Sequence, residues 1–369
     1  MKTCGIVAEY NPFHNGHIYQ IQETKKQKDI DVFIAVMSGN FVQRGEPALL
    51  SKRRRAQIAV ENGIDIVIEL PYIYATQSAN QFAQGAISLL KLASVDYISF
   101  GSECGNLENL KEIADTPINP DHLHISLAKG MSFPKAYSLL TSDMLPNDIL
   151  AVSYLKEIKD TNIEPILIQR TSNYLDDSFS ENASALAIRS ALKDKKDVSS
   201  ATPAQLDIDA EYAYFEMYYP YLRTLLLTTP KARLQEMFLV SEGLETHLIN
   251  NAKEYDNALD FLNGCTNYRY TTSRIRRTCL HIMTQTTKKE VERLPKLETI
   301  RVLAFNDTGK KWLHNQRDKI QIASTFSSIP SPWRALEYRS TLLYASIFSK
   351  DIRNDILQEE LKGAQYIKK

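Results

Sequence analysis

The chain has 369 residues, 43% hydrophobic and 24% charged, a composition of globular proteins and too long for one ordinary core, so two domains are expected. Lys and Arg number 44 against 44 Asp and Glu, which excludes a uniformly basic or acidic protein, and no run of eighteen apolar residues could span a bilayer as a helix. Cys4, Cys104, Cys265 and Cys279 are scattered without a C-x-x-C pair, so neither a zinc knuckle nor a disulfide framework is indicated.

Met1-Lys2-Thr3-Cys4 leads into an apolar run without the layout of a signal peptide, and a cytoplasmic protein is expected. Residues 5–8 read as a short buried strand. Asn11 and Pro12 break it, and Ile18-Tyr19-Gln20-Ile21 starts a pattern with helical spacing. Further apolar runs lie at residues 32–37, 64–70, 97–100 and 165–168, separated by longer helical patterns. Short continuous apolar strands alternating with helices imply an α/β fold with a parallel, Rossmann-like sheet covered on both faces. Ligands of such sheets sit at the carboxyl ends of the strands, near the switch in strand order. A catalytic domain over residues 1–195 is expected. Beyond it the texture becomes Leu-, Tyr- and Glu-rich and helical, giving a mainly α-helical domain over 196–369 that a strand candidate at 300–305 interrupts.

Chemistry concentrates after the first strand. His14 and His17 would share one face of the first helical turn, where unpaired backbone N–H groups and the helix dipole favour a phosphate. A His-x-x-His pair could equally hold a metal. The third ligand would have to come from His122 or His124, whose alternation looks more like the polar face of an edge strand, and no metal site is expected. The pattern His14-Asn15-Gly16-His17 resembles the HxGH signature of the nucleotidyltransferase superfamily. Ser184-Ala185-Leu186-Ala187-Ile188-Arg189 looks like a degraded form of that superfamily's second motif, with only Ser184 and Arg189 left to hold phosphate. Blandly read, they are an N-cap and a solvated helix arginine. Arg170 ends a strand run and could project into the crevice. Gly101 permits close approach of a nucleoside or only a tight turn, and Asn147 or Asp148 could be only a helix cap.

The net charge of zero hides a local excess: thirteen Lys and Arg stand against five Asp and Glu between Cys265 and Ile320. Within that block Asn267-Tyr268-Arg269-Tyr270-Thr271-Thr272-Ser273-Arg274-Ile275-Arg276-Arg277 interleaves aromatics with arginines, which suits phosphates and unpaired bases of RNA, or forms an ordinary basic helix face. The run Lys52-Arg53-Arg54-Arg55 could guide an RNA backbone beside the crevice or be a solvated face, and Lys129 and Lys135 are weaker candidates.

Residues 5–17, Met37-Ser38-Gly39-Asn40-Phe41-Val42-Gln43-Arg44-Gly45, Phe100-Gly101-Ser102-Glu103, the 268–277 block and Arg301-Val302-Leu303 together resemble the bacterial tRNA(Met) cytidine acetate ligase family over nearly the whole chain. The resemblance implies that ATP and acetate give acetyl-adenylate, whose acetyl group passes to N4 of the wobble cytidine in the anticodon stem-loop of elongator tRNA(Met). It implies His14 and His17 as the catalytic pair. ATP contacts carried over from the family fall on Val7, Ala8, Glu9, Tyr10, Asn11, Pro12, Phe13, His14, Asn15, Gly16, His17, Ile18, Tyr19, Gln20, Gly101, Asn147 and Arg170, joined by Ser184 and Arg189. Mg²⁺ would accompany ATP, and Lys52, Arg53, Arg269, Arg274, Arg276 and Arg277 would meet tRNA. No membrane and no protein partner is implied. Without the resemblance, a transferase with a small-molecule acceptor or an RNA-binding protein with a degenerate nucleotide site would fit the residues.

Overall fold

Strands made of Ile, Val and Ala without polar alternation need cover on both faces. The computed structural model, which describes residues 1–116, 144–170, 183–241 and 243–368, gives them that cover. Strands β1 (Thr3–Ala8), β2 (Val32–Ser38), β3 (Ile66–Leu70), β4 (Tyr97–Ser102) and β5 (Glu164–Gln169) pair in parallel in the order β5-β4-β1-β2-β3. Among the described residues the helices longer than one turn between these strands are α1 (Asn15–Gln27), α2 (Lys52–Glu61), α3 (Ala79–Leu92), α4 (Leu107–Asp115) and α5 (Pro146–Ile158). Strand order reverses between β1 and β4, so the crevice beyond their carboxyl ends is the switch point where ligands collect.

Alternate residues of β2 serve opposite cores. Val32, Ile34 and Val36 pack with Phe82, Ala86 and Leu90 of α3, and with Val152 and Leu155 of α5. Phe33, Ala35 and Met37 pack with Ile21 of α1, and with Ala56 and Ala59 of α2. Full burial of each large side chain is worth about 1.5–3 kcal/mol, so the register of this central strand is strongly specified.

After α6 (Ala185–Lys193), helices α7 (Tyr219–Thr228), α8 (Leu244–Glu254), α9 (Ala258–Cys265) and α10 (Thr272–Met283) enclose their own core around Leu222, Leu248, Phe261, Ile275 and Cys279. The strand candidate at 300–305 is real but does not belong to that helical part. As β6 (Thr299–Phe305) it joins the first sheet antiparallel to β3, pairing Ile66 with Phe305 and Val67 with Ala304. β7 (Gln321–Ala323) and β8 (Gln365–Tyr366) pair parallel with β6, while α11 (Asp307–Gln316), α12 (Ser331–Ala345) and α13 (Lys350–Leu361) complete the chain. The sheet therefore crosses the expected boundary at residue 195, because pairing between strands so distant in sequence leaves no local trace.

The cationic run at the start of α2 faces inward, contrary to expectation. Lys52 Nζ lies 2.6 Å from Glu69 Oε1 and 2.8 Å from Glu360 Oε2. Arg301 Nη1 lies 2.5 Å from Glu69 Oε2 and 2.8 Å from Glu360 Oε1. Arg53 donates to the carbonyls of Leu303, Lys362 and Gly363. Lys52 and Arg53 are 2% and 3% exposed, so neither presents its charge to tRNA. They fasten α13 and β6 to α2. Replacement of Lys52 by Met leaves Glu69 and Glu360 sharing Arg301 alone. We predict a loss of about 3–5 kcal/mol, read as a lower urea midpoint; a loss under about 1 kcal/mol would show that this cluster does not hold the C-terminal helices.

Candidate active site

A cavity of about 790 Å³ opens at the carboxyl ends of β1 and β4, within the size range of small-molecule sites. Its floor is Val7, Ala8, Glu9, Tyr10, Asn11, His14, His17, Gln20 and Gly101, with Asn147, Arg170, Ser184 and Arg189 around the sides. Arg269, Arg274 and Arg277 form the opposite wall. Thus the presumed nucleotide residues and three of the presumed tRNA residues face one space.

His14 is the N-cap of α1, with φ −142° and ψ 172°. Its Nδ1 accepts the Gly16 N–H at 3.1 Å, and His17 Nδ1 accepts the His14 N–H at 3.0 Å. With both Nδ1 atoms occupied as acceptors, each neutral ring carries its proton on Nε2. Burial, followed by the charges of Arg170 and Arg189, lowers the His14 pKa to about 3. Burial and then His14 lower that of His17 well below the ordinary value. The ring centroids are 3.8 Å apart, so the pair presents two neutral N–H donors side by side. Gly16 is required here: a Cβ at that position would stand 2.8 Å from His14 Cε1 and 3.0 Å from Nδ1.

The loops carrying these groups are held by Arg55, whose side chain is fully buried. Its Nη1 donates to the carbonyls of Glu9 (2.5 Å) and Ser38 (3.1 Å), its Nε donates to Leu50 (3.0 Å), and its Nη2 donates to Gly39. Burial lowers its pKa to about 10, which still leaves it protonated at neutral pH. Asn11 Oδ1 accepts from the Leu49 N–H at 2.7 Å, and Arg189 Nη1 donates to the Asn11 carbonyl at 2.8 Å.

Glu46 takes an arginine on each oxygen, Arg189 at 3.2 Å and Arg276 at 2.7 Å. The backbone beside it lies against α10. Gly45 has φ +75°, and a Cβ there would come within 2.6 Å of the Arg277 nitrogen. Arg277 Nη1 donates to the Gln43 carbonyl at 3.0 Å, while the Gln43 N–H donates to Glu9 Oε1 at 2.9 Å. Arg274 Nη2 donates to Ser241 Oγ at 3.0 Å, and the Arg269 and Arg274 guanidinium carbons lie 5.7 and 5.0 Å from the Tyr270 ring centre. Glu103 accepts from Asn147 Nδ2 at 2.5 Å and from the Asp148 N–H at 3.1 Å, so Asn147 is tied down at the start of α5. Ser184 is the N-cap of α6, accepting from the Ala187 N–H at 3.1 Å.

Several expected contacts do not line the cavity. Pro12 and Phe13 are buried beneath the floor, and Ile18 packs on the core. Tyr19 is exposed, Asn15 Nδ2 donates to the Ser200 carbonyl at 2.9 Å, and Gly16 only makes room for His14. Arg276 is engaged by Glu46 outside the lining. His122, His124, Lys129 and Lys135 lie outside the described residues. The lining also includes Thr271 and Ser273 of the 267–277 block, together with residues 77–82, Tyr154, Leu239 and Ser241, which sequence reasoning missed. Ser78 as N-cap of α3 was the one local signal for that wall.

A family model described as HIGH Nucleotidyl Transferase matches residues 1–360. A tRNA(Met) cytidine acetate ligase of Geobacillus sp. (strain WCH70) is 37% identical over 98% of each chain, and one of Limosilactobacillus reuteri is 38% identical over 93% of this chain and 95% of its own. Thermotoga maritima TmcAL in its apo form superposes with a TM-score of 0.92 at 30% identity over the full length of both chains. The same protein bound with alpha-thio ATP superposes with a TM-score of 0.88.

The paired Nδ1 acceptors carry a spectroscopic expectation. Nitrogen-15 NMR of the nucleotide-free protein will show His14 and His17 as Nε2–H tautomers that do not titrate between about pH 5.5 and 8, unlike an ordinary histidine with a pKa near 6.5. Titration of either ring in that window would show that they are not fixed neutral donors.

Proposed function

The chain belongs to the tRNA(Met) cytidine acetate ligase family of HIGH nucleotidyl transferases, and from that premise we propose that it forms acetyl-adenylate from ATP and acetate and acetylates N4 of the wobble cytidine of elongator tRNA(Met). The observation that carries this reading is that the two neutral imidazoles and the arginines of the helical part line one cavity. An activated acyl group made on one wall is then within reach of a nucleic acid held by the other.

In the first step an acetate oxygen attacks the α-phosphate and pyrophosphate leaves. The reaction needs the reactants held in line and the developing phosphate charge stabilised. The Nε2–H groups of His14 and His17, together with Arg170 and Arg189, serve that charge, and their neutral or cationic state costs nothing to reorganise as the reaction proceeds. The described lining contains one carboxylate, and among the described residues no group of three His, Cys, Asp or Glu side chains is close enough to hold a metal. Mg²⁺ fits as the companion of the ATP phosphates.

In the second step the stem-loop approaches from the helical side. Arg269, Arg274 and Arg277 meet phosphates, and the exposed Tyr268 offers a ring for unpaired bases, while Tyr270 is buried in the helical core beneath Arg269 and Arg274. A tRNA substrate places the enzyme in the cytoplasm. No helix among the described residues is long and apolar enough to cross a membrane.

The test is incorporation of radiolabelled acetate from ATP and acetate into unmodified elongator tRNA(Met). Label at the wobble cytidine is expected, with His14→Ala and His17→Ala each lowering the rate by about 10²–10³, the effect of removing one preorganised donor. ATP turnover without tRNA labelling would send the search to another acceptor. Arg274→Gln is expected to raise the KM for tRNA more than the KM for ATP and to reduce the slope of log affinity against log salt by about one. An unchanged slope would remove Arg274 from the phosphate-contacting surface.

A further inference from the structure

The second step poses a problem that the first does not. When the N4 amine attacks the acetyl carbon, the N4–C bond forms, the bond from that carbon to the AMP oxygen breaks, and AMP leaves with the bonding pair. The nitrogen then holds one proton too many. Some group in the cavity must accept it.

The histidines are unsuited to the task. Each Nδ1 lone pair is occupied by a backbone N–H, and each Nε2 already carries a proton. The six lining arginines, Arg44, Arg170, Arg189, Arg269, Arg274 and Arg277, are donors only. Burial raises the phenols of Tyr10 and Tyr154, so neither is ionised at neutral pH. Among the described residues lining the cavity, Glu9 is the sole carboxylate. Its Oε1 accepts from the Gln43 N–H, and its Oε2 has no hydrogen-bond partner among the described residues.

We propose that Glu9 is the general base of acetyl transfer, its carboxylate taking the N4 proton as the acetyl group passes from AMP to the cytidine. The inference rests on the acceptor reading above. The residue sits immediately after β1, three positions beyond the strand's Ile6 and five before His14, with its own carbonyl held by Arg55. The groups facing it are Arg44 and Glu46 from the loop after β2, Arg189 from α6, Arg55 from α2 and Tyr154 from α5. Burial raises its pKa above the ordinary carboxylate value, with the Gln43 N–H, Arg44 and Arg189 opposing in part. A base is more effective as its pKa approaches the working pH.

The experiment isolates the second step. Synthetic acetyl-adenylate at saturating concentration is mixed with enzyme and unmodified elongator tRNA(Met), and the single-turnover rate of acetyl transfer is followed from about pH 5 to 8.5. Wild-type enzyme is expected to show a rate that rises with pH through a limb displaced above the ordinary carboxylate range. Glu9→Gln preserves an acceptor for the Gln43 N–H and so keeps the loop. It is expected to lower transfer by about 10²–10⁴ and abolish the limb, the range general-base catalysis supplies. Glu9→Asp should restore part of the rate and the limb. Three results overturn the proposal: a Glu9→Gln rate within threefold of wild type, a retained limb, which would give the proton to the departing phosphate, or recovery of Glu9→Gln by added Mg²⁺, which would put the carboxylate on the metal. Failure of the wild-type enzyme to label the tRNA at all would instead remove the acceptor reading, and the inference with it.

Discussion

The guanidinium of Arg55 donates to backbone carbonyls in two loops that share no contact in sequence. Glu9 belongs to the segment leaving β1, and Ser38 and Gly39 to the segment leaving β2. Parallel strands end with outward-pointing carbonyls, and in a buried site each one left unpaired costs about 1–3 kcal/mol. One side chain satisfies three of them and also bonds Leu50 at the approach to its own helix. The consequence extends to chemistry. Fixing Glu9 fixes the start of the turn that ends at His14, and the backbone N–H groups of that turn determine which nitrogen of each imidazole bears the proton. The acid–base character of the site thus follows from backbone placement, which a buried arginine controls.

The described lining of the cavity has six arginines and one carboxylate. Such an imbalance would be unstable if the cations simply faced each other across an empty space. Arg277 and Arg274 are moored to neutral acceptors, the Gln43 carbonyl and Ser241, while Arg189 bonds the Asn11 carbonyl and also pairs with Glu46. Neutral moorings fix position without cancelling charge, so the positive potential remains for a polyanion. Mutual repulsion adds to burial: burial first, and then the charges of Arg274 and Arg44, bring the Arg277 pKa down to about 10. ATP and tRNA phosphates relieve the same strain, which is a physical reason for both to be drawn to one place.

The sheet and its crevice were legible because β1 to β5 are continuous apolar runs and the His14–His17 turn follows the first of them directly. The errors share a cause. Lys52 and Arg53 look solvated in a list of letters, yet their partners Glu69, Glu360 and the carbonyls near Gly363 lie far along the chain. β6 was visible as a strand, but nothing local says that it pairs with β3. Arg55 went unremarked within the same cationic run, although its position continues the buried face of Ala56 and Ala59. Asn15 and Tyr19 share a contiguous segment with the histidines, but a helix turns part of any such segment away from a ligand on one face, and Tyr19 is exposed while Asn15 bonds the Ser200 carbonyl.

The helical part and the sheet cannot be treated as independent bodies joined by a tether. Gly45 lies so close to the Arg276–Arg277 backbone that no side chain fits, and Glu46 next to it joins Arg189 of the cavity lining to Arg276 of α10 outside it. Any displacement of α10 must therefore pull on the guanidinium that holds the Asn11 carbonyl, three residues before the His14 cap. Coupling of this kind travels through packed groups with definite partners and needs no long conformational change. It also explains why the loop after β2 has a glycine followed by a glutamate at its tip. The glycine admits the neighbouring helix, and the glutamate lets the position of that helix govern the arginine beside the His14–His17 turn.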